Sequence, residues 1–142
     1  MSRPAKAPRL DVERLVRVAS DARAHAYAPY SRYRVGAAIL TRGGAVYAGC
    51  NVENATYGAT LCAERSAVAA MVTGGGRDPI AVAVVSAGPQ PASPCGICRQ
   101  VLVEQAEDMK VFLVAEDREG KVIARRATRL ARLLPEAFRL KV

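Results

Sequence analysis

The sequence predicts an α/β fold, a three-layer α-β-α sandwich built on a mixed five-stranded sheet. Three observations carry that reading. Short continuous apolar runs, Val35 to Thr41 and Ile80 to Val85 among them, have the length of strands buried on both faces. Stretches with apolar residues at three- and four-residue spacing alternate with these runs, so helices separate the strands. The chain of 142 residues, 51% apolar and 24% charged, has the size and composition of one globular domain. Residues 11–142 are read as that domain, behind a short basic tail over residues 1–10.

In order, the first helix is expected from Asp11 to about Tyr27. Val12, Leu15, Val16, Ala19, Ala22 and Ala26 form one apolar stripe. Asp11 suits the N-cap, and Leu10 can pack on Leu15 as a hydrophobic staple. Pro29-Tyr30-Ser31 ends the helix and opens a loop whose order depends on burying its Tyr side chains. Val35 to Thr41 is the first strand. Arg42-Gly43-Gly44 turns it into a second, Ala45 to Gly49, giving a hairpin. Cys50 to Asn54 is irregular and polar.

Leu61 or Cys62 opens an Ala-rich helix that stops at Gly74-Gly75-Gly76. Ile80 to Val85 is a central strand. Pro94 sits where the first turn of a third helix would start, and that helix runs from Cys95 to about Gln105. Val111 to Ala115 and Lys121 to Ala124 are the last two strands, and Thr128 to Leu133 is a short helical piece. No internal repeat is visible.

Composition excludes several classes. No run of eighteen apolar residues offers a membrane span. The N-terminal residues are basic but lead into no apolar core, so they do not read as a secretory signal. With cysteines in metal-type spacing, the expected compartment is the cytoplasm. The net charge of +8 raises nucleic-acid binding. However, the 21 basic residues are spread along the chain, and two Phe, five Tyr and no Trp supply few stacking platforms. The basic composition is read as a solvated surface.

The chemistry concentrates in Thr60-Leu61-Cys62-Ala63-Glu64-Arg65 and, some thirty residues on, Ser93-Pro94-Cys95-Gly96-Ile97-Cys98. A lone Cys-Ala-Glu is weak, and a lone Cys-x-x-Cys is ambiguous between redox and metal roles. Together they supply three thiols and a spare carboxylate. Three protein ligands and an open position make a catalytic zinc, whereas a structural zinc is closed by four. Both motifs open helices, whose N-termini favour thiolates. Glu64, two residues after Cys62, is then free to handle protons.

These motifs resemble the cytidine deaminase family in its small homotetrameric, zinc-dependent form. Further family-like segments follow in order: Tyr27-Ala28-Pro29-Tyr30-Ser31, Val35-Gly36-Ala37-Ala38, Gly49-Cys50-Asn51-Val52-Glu53-Asn54-Ala55, Cys98-Arg99-Gln100-Val101-Leu102 and Leu133-Leu134-Pro135-Glu136-Ala137-Phe138. The resemblance implies the family's α-β-α sandwich and one Zn2+ per subunit held by Cys62, Cys95 and Cys98. It makes Glu64 the proton carrier in hydrolytic deamination of cytidine and deoxycytidine, a pyrimidine-salvage reaction. Arg65 would draw charge from the sulfurs. Asn51 and Glu53 are assigned to the ribose hydroxyls, with Asn54 beside them. The Ala63 N–H and Ser93 carbonyl would grip the base edge. Tyr33 stands where the family usually has Phe, so its ring would lie over the nucleoside with an added hydroxyl. Tyr57 and Phe138 resemble residues that close the pocket from a neighbouring subunit. The implied partners are a small nucleoside and three further copies of the chain, with no membrane or nucleic acid.

Other readings stay open on sequence alone. A structural zinc would take Cys50 as a fourth ligand and leave Glu64 solvated on its helix, making an interaction module. A thioredoxin-like redox pair at Cys95 and Cys98 leaves Cys62 and Glu64 idle. Within the deaminases, a blasticidin S-type enzyme shares the metal motifs, although Glu53 speaks for plain nucleosides. A nucleic-acid-editing deaminase is a further rival.

Overall fold

A computed structural model describes Lys6 and residues 9–142; the tail expected over residues 1–10 lies largely outside the described residues. The first strand of the sheet is also the one most completely covered. β1 (Gly36–Thr41) is buried at all six positions, because a helix packs on each of its faces. On one side is α1 (Val12–Arg23), which turns Leu15, Val16 and Ala19 inward. On the other is α2 (Ala63–Thr73), with Ala67, Val68 and Met71 buried.

Around β1 the sheet runs β2-β1-β3-β4-β5, with β2 at Val46–Cys50, β3 at Pro79–Ala87, β4 at Lys110–Glu116 and β5 at Val122–Arg129. Only β3 and β4 pair in parallel; the other three pairings are antiparallel, so the sheet is mixed. The parallel step is crossed by α3 (Gly96–Gln105), and a four-residue helix, α4 (Leu130–Leu133), follows β5.

Two apolar layers result. Leu15, Val16, Ala38, Leu40, Val85 and Val114 gather under α1. Met71, Leu102, Met109, Leu113 and Leu130 gather under the other three helices. Fully burying a side chain of this size contributes about 1.5–3 kcal/mol, so these layers fix where α2 and α3 lie.

Two glycines set the distance between layers. A Cβ on Gly36 would lie 1.9 Å from the Ala19 carbonyl oxygen, and one on Gly49 would lie 2.3 Å from the Ala67 nitrogen. Helix backbone therefore rests directly on strand backbone at the open end of the hairpin, α1 against Gly36 and α2 against Gly49. Among the described residues no helix is long and apolar enough to cross a membrane.

The expected architecture is present, with local corrections. Asp11 caps α1 by accepting from the Arg14 N–H at 3.1 Å, and Leu10 packs on the cluster that holds Leu15. The helix stops at Arg23 rather than near Tyr27. Beyond it the Tyr27 N–H donates to the Asn51 carbonyl and the Glu53 N–H to the Tyr27 carbonyl, a parallel bridge that no helical backbone could make. Pro94 precedes Cys95, which is the N-cap, so the proline lies outside the third helix rather than in its first turn. β5 continues to Arg129, through Thr128, where a helix was expected. Each of its later residues pairs with β4, down to Arg129 opposite Lys110. A single 3₁₀ turn at Tyr57–Ala59 was not anticipated.

Candidate metal centre and active site

Cys62 and Cys95 are the N-caps of α2 and α3, and Cys98 lies one turn into α3. Both helices approach the same point from one face of the sheet, so three sulfurs from two distant segments meet. The Cys62 and Cys95 sulfurs are 3.9 Å apart, and all three lie within 4.8 Å of one another. A tetrahedral zinc with Zn–S bonds of about 2.3 Å needs sulfurs roughly 3.8 Å apart. The trio fits that spacing.

Its electrostatics point the same way. Burial pushes the Cys98 thiol far above its ordinary range, and the nearby Glu64 carboxylate and Cys62 push it further. Burial likewise raises Cys62, against the pull of Arg65. Burial also acts against the Cys95 thiolate, but the Cys98 and Ile97 N–H groups and the neighbouring thiols outweigh it and bring that thiol down. Three thiolates this close need a cation to balance them. Arg65 supplies only part of that charge. Its Nη2 reaches the Cys62 sulfur at 3.9 Å and is held by the Thr60 carbonyl at 2.8 Å, while its Nε is buried without a hydrogen-bond partner.

Glu64, the second residue of α2, is 5% exposed and faces Cys98. That burial contradicts the reading in which Glu64 is a solvated helix residue. Cys50 ends β2 and is not part of the three-thiol group found among the described residues, so the four-cysteine arrangement is not formed. Ala63 is the first residue of α2, where an N–H has no intrahelical partner, and Ser93 is exposed two residues before Cys95.

The remaining expected residues form a second group. Asn51 is buried, and its amide bridges the loop ahead of β1: Oδ1 accepts from the Val35 N–H at 2.9 Å and Nδ2 donates to the Tyr33 carbonyl at 2.8 Å. Glu53 accepts from the Tyr30 N–H at 3.0 Å, the Ser31 N–H at 3.1 Å and the Ser31 hydroxyl. The Ser31 hydroxyl, then its N–H, hold the Glu53 carboxyl below the usual carboxylate range. Ser31 closes the family-like segment Tyr27-Ala28-Pro29-Tyr30-Ser31, but nothing in the sequence gives it a role toward Glu53.

Glu53, Asn54 and Tyr57 line a cleft of about 320 Å3 with Tyr30, Ser31 and Thr60. The three cysteines are not in its lining. Tyr27, Tyr30 and Tyr33 are 58%, 59% and 41% exposed, so the loop is ordered by Asn51 and Glu53 and not by burying its rings. Tyr57 and Phe138 are 84% and 70% exposed. A groove of about 570 Å3, lined by Arg42, Asp78, Met109 and Lys110 among others, lies at the N-terminal ends of β3 and β4 and shares no residue with either group.

Comparison with known proteins agrees with this geometry. Residues 10–115 match the family model described as the cytidine and deoxycytidylate deaminase zinc-binding region. A cytidine deaminase of Sporosarcina psychrophila is 45% identical over 130 residues, covering 91% of this chain and 92% of the relative. One from Mycobacterium tuberculosis is 44% identical over 133 residues, covering 94% and 93%. The crystal structure of cytidine deaminase from Burkholderia pseudomallei superposes with a TM-score of 0.81 at 43% identity, over 91% of this chain and all of that one. Three converging thiols, a buried carboxylate beside them and this breadth of similarity lead to one placement: the chain belongs to the cytidine and deoxycytidylate deaminase family of zinc-binding hydrolases.

Proposed function

We propose that the chain deaminates free cytidine and deoxycytidine to uridine and deoxyuridine, as a cytoplasmic homotetramer serving pyrimidine salvage. Residues 11–142 act as its single catalytic domain. The observation that carries this reading is Glu64, buried against a thiol trio of zinc spacing and so available for proton transfer at one spot.

Cys62, Cys95 and Cys98 hold the metal. Zinc, when bound, lowers the pKa of a water to about 7 and so provides a nucleophile at neutral pH. Glu64 takes the proton of the attacking water while its oxygen bonds to C4 of the ring, and delivers that proton to N3. The carboxylate then carries the second proton to the 4-amino group, the C4–N4 bond breaks and ammonia leaves. Arg65 draws negative charge from the Cys62 sulfur, 3.9 Å away.

The Ala63 N–H and Ser93 carbonyl orient the base edge. Asn51 and Glu53 take the ribose hydroxyls with the donor and acceptor capacity that the loop leaves free, and Asn54 lies next to them. The loop bonds serve this role: Glu53, kept ionised by Ser31, is a pure acceptor and selects a hydroxyl donor. The Tyr33 ring covers the nucleoside. Tyr57 and Phe138, exposed on one chain, close the pocket of a neighbour in the tetramer.

Glu64→Gln is the decisive variant. It preserves size and hydrogen bonding but cannot accept a proton. Its zinc content should match the parent while cytidine turnover falls by at least about three decades, within the range expected for a lost general acid–base. Substantial uridine formation by that variant would remove the assignment. Turnover of a cytosine-containing single strand faster than of cytidine would remove the free-nucleoside reading.

A further inference from the structure

The C-terminal arm, residues 134–142, follows α4 and contains no helix or strand. Its backbone is tied back to α4 by the Leu134 N–H, which donates to the Leu130 carbonyl at 2.9 Å. Leu134 and Ala137 pack on the core cluster, and the side-chain hydrogen bonds at the root of the arm and along it run to α3. Arg99 Nη1 donates to the Leu133 carbonyl at 2.7 Å, Gln100 Nε2 to the Phe138 carbonyl at 2.9 Å, and Arg139 Nη1 to the Val103 carbonyl at 3.1 Å. The guanidinium of Arg99 also reaches backward. Its Nε donates to the Pro94 carbonyl at 2.8 Å, the peptide that leads into Cys95. One rigid, planar fork thus joins the turn before the metal-ligand pair to the start of the arm, a span a lysine ammonium could not bridge.

Phe138 itself is 70% exposed, so packing within the chain does little to fix its ring. What holds its peptide is the single donor from Gln100. A hydrogen bond to the carbonyl of a residue in irregular backbone restricts the dihedrals on either side of it, and with them the direction of the side chain.

We infer that Gln100 is a positioning residue that aims Phe138, with Arg99 fixing the root of the arm, so that the helix bearing Cys98 also sets the aromatic wall. This rests on the reading above that Phe138 closes a nucleoside pocket. Gln100 touches no substrate in this scheme; it acts through the ring.

The test separates the two ideas. Phe138→Ala should raise the KM for cytidine about tenfold or more. Gln100→Leu, which loses only the donor, should raise KM about three- to tenfold with kcat within twofold of the parent. It should also speed amide hydrogen exchange across residues 136–140 in the absence of nucleoside. In a Phe138→Ala background the same change should add nothing, because residues acting through one group are not additive. Gln100→Lys restores a donor and should return KM to within about twofold; Gln100→Glu, an acceptor facing a carbonyl, should not. This pair carries the test if Gln100→Leu fails to fold. A silent Phe138→Ala would remove the pocket reading and this inference with it. A large Phe138→Ala effect beside a silent Gln100→Leu, or a Gln100→Leu effect undiminished without the ring, would overturn the inference alone.

Discussion

Gly49→Ala is a one-methyl perturbation whose effect can be worked through from strand to metal. The new Cβ would lie 2.3 Å from the Ala67 nitrogen, 2.7 Å from the Ser66 carbonyl carbon and 2.8 Å from the Ala63 carbonyl oxygen. All three are backbone atoms of α2, so no side chain can rotate away. Bringing the shortest contact up to 3.0 Å requires α2 and β2 to separate by at least about 0.7 Å, and overpacking of this kind costs about 1–3 kcal/mol. In a domain of this size that lowers Tm by roughly 3–12 °C.

The further consequence follows from what α2 carries at its N-terminus. Cys62 and Glu64 move with the helix, while Cys95 and Cys98 stay on α3. A displacement near 0.7 Å exceeds the roughly 0.2 Å tolerance of zinc–sulfur distances. Zinc affinity, read by competition with a chromogenic chelator, should fall about 10–100-fold, and kcat/KM for cytidine about 100-fold. Gly43→Ala is the control, because its Cβ would meet nothing closer than Thr41 Oγ1 at 3.9 Å. A Gly49→Ala protein with lowered Tm but parental zinc affinity would show that the edge strand yields instead. The proposed transmission through α2 would then be wrong.

Other perturbations separate site from scaffold. Ser substituted singly at Cys62, Cys95 or Cys98 should abolish stoichiometric zinc in purified protein, measured by atomic emission, whereas Cys50→Ser should retain it. Loss of zinc from Cys50→Ser would restore the four-cysteine arrangement. Asp108 accepts from the Met109 N–H at 2.9 Å, the Ala131 N–H at 3.0 Å and Arg129 Nε at 2.7 Å, tying the start of β4 to α4. Its side chain is 32% exposed, and Asp108→Asn should cost about 1 kcal/mol by denaturant titration at pH 7. Burial opposes its charge, but the Ala131 N–H and Arg129 win and depress its carboxyl below the ordinary 3.8. A depressed acid stabilises above its unfolded-state pKa and ceases to do so as pH falls through the folded-state value. The difference between parent and Asp108→Asn should therefore be constant from pH 7 to 5, begin to shrink near the ordinary 3.8 and vanish only below the depressed folded-state value; a difference that grows on acidification would contradict the assignment.

The metal centre was legible in the sequence because its parts are local. Each motif places a cysteine at a helix start, and the burial that brings the two starts together is written in the apolar runs on either side. Elements decided by distant partners were not legible. Ala22 and Ala26 extend the apolar period of the first helix toward Tyr27, yet Asn51 and Glu53 capture the Tyr27 backbone from across the fold. Arg125, Arg126 and Arg129 give β5 no apolar alternation, since it is an edge strand whose register comes from β4. Asn51 and Glu53 were expected as ribose ligands, and their loop-holding bonds appear only when Tyr30 to Val35 is folded against them.

The division between these two groups bears on how the site works. The part proposed to carry protons is buried within one chain: Ala63 and Glu64 are buried, and Cys98 is fully buried. The part that should exclude water is not. Cys95 is exposed, Ile97 beside it is 62% exposed, and Leu61 is 41% exposed on the other metal segment. Charge interactions between Glu64, the thiolates and a bound base strengthen several-fold when water leaves, because the local dielectric falls. On the proposed roles, a lone chain would hold the three thiols and Glu64 in place without the low-dielectric setting that makes them effective. Covering Ile97, Leu61, Tyr57 and Phe138 with neighbouring copies would bury apolar surface and dry the centre in the same step. In the proposed tetramer, assembly and catalysis would be a single requirement, met by the same exposed side chains.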